Sequence, residues 1–145
     1  MSGFRLGRLM RLRERQEKEE KLRWAATLKA VFDAREERAA GRMSLEDAYR
    51  DLSGQRGASI NPGERLAAET TLDHLSDRKL QQERAVSEAD LRAEEARIPY
   101  DQRRREAEAL RRLEERWKAT RRKKRRRRED RDRQEHIARQ CGKSL

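Results

Sequence analysis

Residues 54–63 read Gly-Gln-Arg-Gly-Ala-Ser-Ile-Asn-Pro-Gly, and this stretch decides the fold. It holds three of the seven glycines and one of the two prolines in the chain. Because glycine and proline interrupt helices, such a cluster marks a turn between two helical segments. Within it, Asn61 can cap a second helix, Pro62 can take the first helical position, and Glu64 lies in the first turn. The sequence therefore predicts a helical hairpin that turns here.

Apolar residues recur at spacings of three and four on both sides of this turn. Before it, with polar gaps at residues 13–21 and 35–42, the pattern is formed by Leu6, Leu9, Met10, Leu22, Ala25, Leu28, Val31, Phe32, Leu45, Ala48, Tyr49 and Leu52. After it, the pattern is formed by Leu66, Leu72, Leu75, Leu80, Val86, Leu91, Ile98, Ala107, Leu110, Leu113 and Trp117. The spacing in each segment thus predicts a helix with one narrow apolar stripe.

The composition limits the core that the chain can bury. Of its 145 residues, 46% are charged and 33% are hydrophobic. A helical pair suits such a chain, because its backbone hydrogen bonds close within each helix and only one stripe per helix must be apolar. Disorder is the rival interpretation, since low hydrophobicity and a net charge of +11 also suit an unfolded chain. The periodicity favours the helical pair.

Folding the chain about residue 58 predicts which residues face each other. If both helices rise equally per residue, antiparallel partners have numbers that sum to about 116. On that register Leu6 meets Leu110, and Trp24 meets Leu91. The predicted fold class is all-α, a long antiparallel two-helix coiled-coil hairpin forming one domain over residues 1–145. Its predicted parts are a first arm at about 4–52, a turn at about 53–63, and a second arm at about 64–140 with a basic overhang over 113–140.

Two residues should disturb these helices. Gly41 weakens the first, because glycine costs up to about 1 kcal/mol in a helix interior. Pro99 lacks a backbone N–H and clashes with the carbonyl four residues earlier, so a kink or break is expected near residues 97–99.

Positive charge concentrates near the C-terminus. Residues 121–145 hold twelve basic and four acidic residues, a net charge of +8, which leaves +3 for the first 120 residues. Eight consecutive cations occupy residues 121–128, and such a run repels itself. We expect it to be ordered only against an anion or an acidic surface.

No motif for catalysis, metal binding or a cofactor is present. His74 and His136 lie far apart without the His or Cys neighbours of a metal site, and the single Cys141 excludes an internal disulfide. The turn glycines lack the Lys-Ser or Lys-Thr of a nucleotide loop. A two-helix hairpin also offers no enclosed pocket, so we expect a protein that is not an enzyme and needs no cofactor.

Location is inferred from what the sequence lacks. No signal peptide is recognisable, and no stretch approaches the roughly 20 apolar residues of a membrane span. A cytoplasmic protein is expected.

The basic run also suggests a nucleic acid, because Arg and Lys that neutralise phosphates dominate non-specific affinity. The run itself contains no aromatic residue for base stacking, and a nuclear import signal is a further reading. A basic coiled-coil protein that binds nucleic acid is therefore the alternative function, and nucleic acid is not the partner we expect.

The N-terminal segment contains Phe4-Arg5-Leu6, Leu9-Met10, Leu12-Arg13 and Glu14. These residues resemble the start of the flagellar export protein FliJ family, where Phe-Arg-aromatic leads into Leu-Leu and Leu-Arg. Further agreement comes from the chain length, the turn before the midpoint, the acidic then apolar ending at residues 130–137, and a stretch made by Glu108, Leu110, Leu113 and Arg116. The sequence departs from the family at Leu6, which replaces a second aromatic, at Pro99, and in the unusually basic run.

This resemblance implies a role in the bacterial flagellar type III export apparatus, and hence in flagellum biogenesis, motility and chemotaxis. The family's coiled coil is similar to the central stalk of rotary ATPases. The implied partners are the export ATPase hexamer, the export gate membrane protein and substrate chaperones. The implied location is the cytoplasm, with peripheral association at the inner membrane.

A partner-binding surface is predicted at the end that carries both termini. Apolar residues from the two helices would meet there beside dense positive charge, as anchors of an interface do, although the same residues could simply pack the hairpin end. The predicted surface comprises Phe4, Leu6, Leu9, Leu110, Leu113, Trp117, Arg121, Arg122, Lys123, Lys124, Arg125, Arg126, Arg127 and Arg128.

Overall fold

The computed structural model describes residues 3–55 and 61–143, which form two long α-helices. Helix α1 spans Gly7–Gln55 and helix α2 spans Pro62–Lys143. No strand occurs in these two ranges, and the all-α helical hairpin is confirmed. Of the predicted turn at 53–63, residues 56–60 lie outside the described residues. The proposed division into arms, turn and overhang stays a prediction.

The start of α2 follows the capping chemistry expected from its sequence. The Asn61 side-chain oxygen accepts a hydrogen bond from the Gly63 backbone N–H at 3.2 Å, and the Asn61 carbonyl accepts one from Arg65 at the same distance. Pro62 occupies the first helical position, where a missing N–H costs nothing. Helix α1 begins after Phe4, whose carbonyl accepts the Gly7 N–H at 3.0 Å.

The chain divides into two compact units. The terminal unit contains residues 1–17 and 102–145, and the central unit contains residues 18–101. In each unit a segment of α1 packs against an antiparallel segment of α2.

The central unit has a narrow core flanked by ion pairs. Its buried apolar residues are Val31, Leu45, Val86 and Ala93. Across the helices, Arg35 pairs with Asp90 at 3.2 Å and Arg42 with Glu83 at 4.0 Å. These pairs occupy the polar gap at residues 35–42, so the gap in the apolar stripe marks cross-helix ion pairs.

The register differs from the one the mirror pattern predicts. In the central unit, Trp24 stacks on Tyr100 instead of meeting Leu91, with ring centroids 5.2 Å apart and 18° between the planes. Partner numbers sum to 124 for this pair and to 125 for Arg35 and Asp90, instead of about 116. A shift of about one heptad keeps the same positions of each apolar stripe facing the partner helix, so the pattern alone could not distinguish the two registers.

Pro99 does not break α2, so the predicted break is wrong, while the alternative of a kink stays a prediction. The helix continues through this residue to Lys143. Arg97 holds both sides together, because it pairs with Glu94 at 3.7 Å and with Asp101 at 3.4 Å. Tyr100 directly follows Pro99 in α2, and its stack on Trp24 adds a contact with α1 there. Local contacts thus offset the hydrogen bond that proline cannot make.

Gly41 lies where α1 faces the side chain of Gln82. A Cβ at position 41 would overlap the Gln82 Oε1 and lie 2.9 Å from its Cδ. That Oε1 atom is buried and has no hydrogen-bond partner among the described residues. Because the amide ends a flexible side chain, it can rotate out to water, where its hydrogen bonds are restored.

We predict that Gly41→Ala raises the free energy of unfolding by up to about 1 kcal/mol, because alanine is the better helix former and Gln82 can move. Thermal unfolding followed by circular dichroism measures this. Gly54→Ala is the control, since it has open space around it and lies beside the end of α1, so a smaller gain is expected. A lower melting temperature for Gly41→Ala alone would show that the glycine is required for packing.

Candidate partner-binding site

An aromatic contact joins the segment before α1 to α2 in the terminal unit. The rings of Phe4 and Trp117 lie 5.7 Å apart between centroids, tilted by 55°, a favourable geometry for aromatic pairs. The Arg121 guanidinium lies over the Trp117 ring, 5.2 Å from its centroid, within cation–π range. Both rings are half-buried, so each keeps an exposed part. The first cation of the basic run is therefore connected directly to the aromatic pair.

The predicted apolar residues of this end divide by exposure. Leu110 is only 9% exposed and packs between the helices. Leu6 and Leu9 are each 37% exposed and Leu113 is 44% exposed, so all three leave apolar area open to solvent. The structure thus buries Leu110 and leaves the other three leucines partly exposed.

Ala107 marks the tightest packing of the terminal unit. It is 0% exposed and lies one turn before Leu110 in α2. A larger side chain would find no free volume there, because protein interiors are close-packed.

A polar network spans the two helices at the same level. From α1, Arg13 pairs with Glu106 at 2.8 Å, and Gln16 accepts a hydrogen bond from Arg103 at 3.3 Å. Arg103 also pairs with Glu106 at 3.2 Å along α2. These partners come from residues 13–21, which the sequence shows as a gap in the apolar stripe.

Arg111 extends this network to two acidic residues of α1. Its guanidinium contacts Glu17 at 3.0 Å and Glu14 at 3.4 Å. Partial burial acts to lower the pKa of Arg111, but the hydrogen bonds and negative charges of Glu17 and Glu14 outweigh it, so the pKa is raised. A raised arginine pKa adds stability that is fully present below the ordinary arginine pKa and is lost only as the pH rises through the raised value.

The basic run is a helix with all its residues exposed. Helix α2 continues through Lys143, and residues 118–142 are exposed without exception. The expectation of order only against a partner is therefore not met. Arg and Lys are good helix formers. Glu129, the first of the acidic residues that follow the run, pairs with Arg125 at 3.5 Å.

Other kinds of site are not found in the part of the chain that the structure describes. Residues 3–55 and 61–143 contain no group of three or more His, Cys, Asp or Glu residues that could hold a metal ion. Within the same ranges, neither helix has an apolar segment long enough to cross a membrane.

A family model described as the flagellar FliJ protein matches residues 1–144. The chain belongs to this family. The resemblance of its N-terminal residues is thereby confirmed, and the family is a non-enzymatic component of flagellar export. No curated protein and no solved structure gives a significant match to the chain. The role of the chain in flagellum biogenesis therefore follows from the family match over nearly its whole length.

Sequence reasoning missed the polar network that fixes the terminal unit. Glu106 and Arg111 were not identified from the sequence as cross-helix residues, although both contact α1. The available signal was the presence of opposite charges in polar gaps on facing segments. That signal needs the correct register, which the apolar pattern does not provide.

We predict that Ala107→Leu destabilises the chain by about 1–3 kcal/mol, the usual cost of overpacking a filled site. Ala109→Leu is the matched control, because residue 109 is exposed and such surface changes usually stay within about 0.5 kcal/mol. Urea unfolding of both variants measures the difference. Equal stability of the two variants would contradict the close packing at position 107.

Proposed function

We propose that this chain binds the export ATPase ring through its terminal unit and promotes ring assembly and turnover. The observation that supports this best is the aromatic pair of Phe4 and Trp117, with exposed leucines nearby in the sequence and eight cations at residues 121–128. Half-buried aromatic residues and arginines are the side chains that most often anchor interfaces. The family match supports a partner within the flagellar export apparatus, and the similarity of the family's coiled coil to a rotary ATPase stalk favours the export ATPase.

The proposed surface combines two kinds of contact. Phe4 and Trp117, with Leu6, Leu9 and Leu113 beside them, provide apolar area that a partner can dehydrate. Residues 121–128 provide a positive potential that attracts an acidic partner surface. Leu110 supports the surface from beneath.

The proposed mechanism is a shift in population. A ligand that binds the assembled ring more tightly than separate subunits increases the fraction that is assembled. The chain itself performs no chemistry in this scheme, and the ATPase hydrolyses the nucleotide. We further propose that it meets the export gate membrane protein and substrate chaperones, and that it is cytoplasmic and peripherally associated with the inner membrane.

We predict that Trp117→Ala raises the concentration needed for half-maximal stimulation of the ATPase by about thirtyfold or more, as expected when an anchor worth at least about 2 kcal/mol is lost. Phosphate release during titration with the purified chain measures this. Trp24→Ala is the matched control, since Trp24 also belongs to a half-buried cross-helix aromatic pair but lies in the central unit.

The control variant should keep stimulation near the natural level, and circular dichroism should show that both variants are helical. Absence of stimulation by the natural chain at saturation would reject the proposed function. Equal loss in both tryptophan variants, with helicity retained, would reject the terminal unit as the site.

We also predict that replacing Arg125, Arg126, Arg127 and Arg128 by Gln slows association with the ATPase more than it speeds dissociation. Exposed rim charges act mainly on the association rate, and the Debye length near 8 Å in physiological salt screens them. Stopped-flow measurements at several salt concentrations test this. An association rate that changes with neither salt concentration nor substitution would show that the run does not steer the encounter.

A further inference from the structure

The exposed C-terminal part of α2 carries its cations on every side. Successive residues of an α-helix turn by about 100°, so eight consecutive cations at 121–128 surround the helix axis. Every residue from 118 to 142 is exposed, so α1 covers none of these side chains. A single positive face would suit a flat partner, whereas positive charge on all sides suits a partner that surrounds the helix.

The dimensions of this segment fit a groove. An α-helix with its side chains is about 10–12 Å across, and the major groove of B-form DNA is about 12 Å wide. Phosphates line both edges of that groove, so cations on opposite sides of one helix can be neutralised together. A flat anionic surface would reach only one side at a time.

The segment is poorly suited to a bilayer. Ile137, 58% exposed, is the one large exposed hydrophobic residue in the described range 118–142. Helices that lie in a membrane interface need an apolar face opposite their charged face, and this segment lacks one. Its binding must therefore be electrostatic.

We propose that residues 121–128 form a non-specific binding site for duplex DNA, with the helix lying in the major groove. This binding does not depend on the proposed ATPase contact, although both use the basic run and would compete for it. The absence of base-reading side chains other than Arg and Lys in residues 121–128 implies that phosphates, not sequence, determine affinity.

The test compares two pairs of substitutions on opposite sides of the helix. One variant combines Arg122→Gln and Arg126→Gln, and the other combines Lys124→Gln and Arg128→Gln. Members of a pair are four residues apart and share a face, while the two pairs lie two residues, or about 200°, apart. Glutamine preserves helix propensity, and circular dichroism verifies it.

Fluorescence anisotropy with a labelled random-sequence DNA duplex gives the affinity of the full chain from 50 to 300 mM salt. Each pair of substitutions should reduce the slope of log K against log salt by about 1.8, because each phosphate contact contributes about 0.9. A charge-matched control replaces two exposed cations of the central unit, Lys29 and Arg84, by Gln and should leave the slope unchanged.

Three outcomes would overturn the proposal. A loss confined to one pair would indicate a one-sided contact instead of a groove. Equal loss in the central-unit control would indicate only a general effect of net charge. Tighter binding to vesicles containing anionic lipid than to the duplex at equal salt would assign the segment to a membrane surface.

Discussion

A narrow apolar seam between two highly charged helices is the constraint on which this structure depends. Six apolar residues are buried among the described residues, namely Val31, Leu45, Val86, Ala93, Ala107 and Leu110. Arginines flank this seam and pair with acidic residues of the facing helix, as Arg111 does with Glu17. Their hydrocarbon stems can cover apolar surface while their charged ends stay near water. Charge therefore contributes to packing in this chain as well as to solubility.

The general fold could be predicted because its signals are local. The breakers at 54–63, the Asn61 cap and the three-and-four spacing each act over a few residues, and each corresponds to an observed feature. The register could not be predicted, because a shift of one heptad leaves both stripes in contact. Pairings such as Trp24 with Tyr100 follow only once the register is fixed.

Only part of the candidate site could be predicted from the sequence. Clustering of apolar residues and cations near both termini indicated a surface, and the aromatic contact of Phe4 with Trp117 agrees with that proximity. The burial of Leu110 beneath three more exposed leucines depends on helix rotation, which sequence spacing defines too coarsely. Helix α2 continues through Pro99 and the basic run, and ion pairs within the helix lie at both places, but the composition alone does not predict this continuity.

Both proposed interactions use the same basic run, so the choice of partner depends on the aromatic and apolar residues near it. Docking on a protein requires the aromatic pair and the leucines, whereas the DNA contact requires only the cations.

Hydrogen exchange with and without the ATPase ring tests the proposed docking site most directly. We expect added protection in residues 4–17 and 102–125 and none in the central unit. Protection confined to residues 18–101 would contradict the proposed docking site.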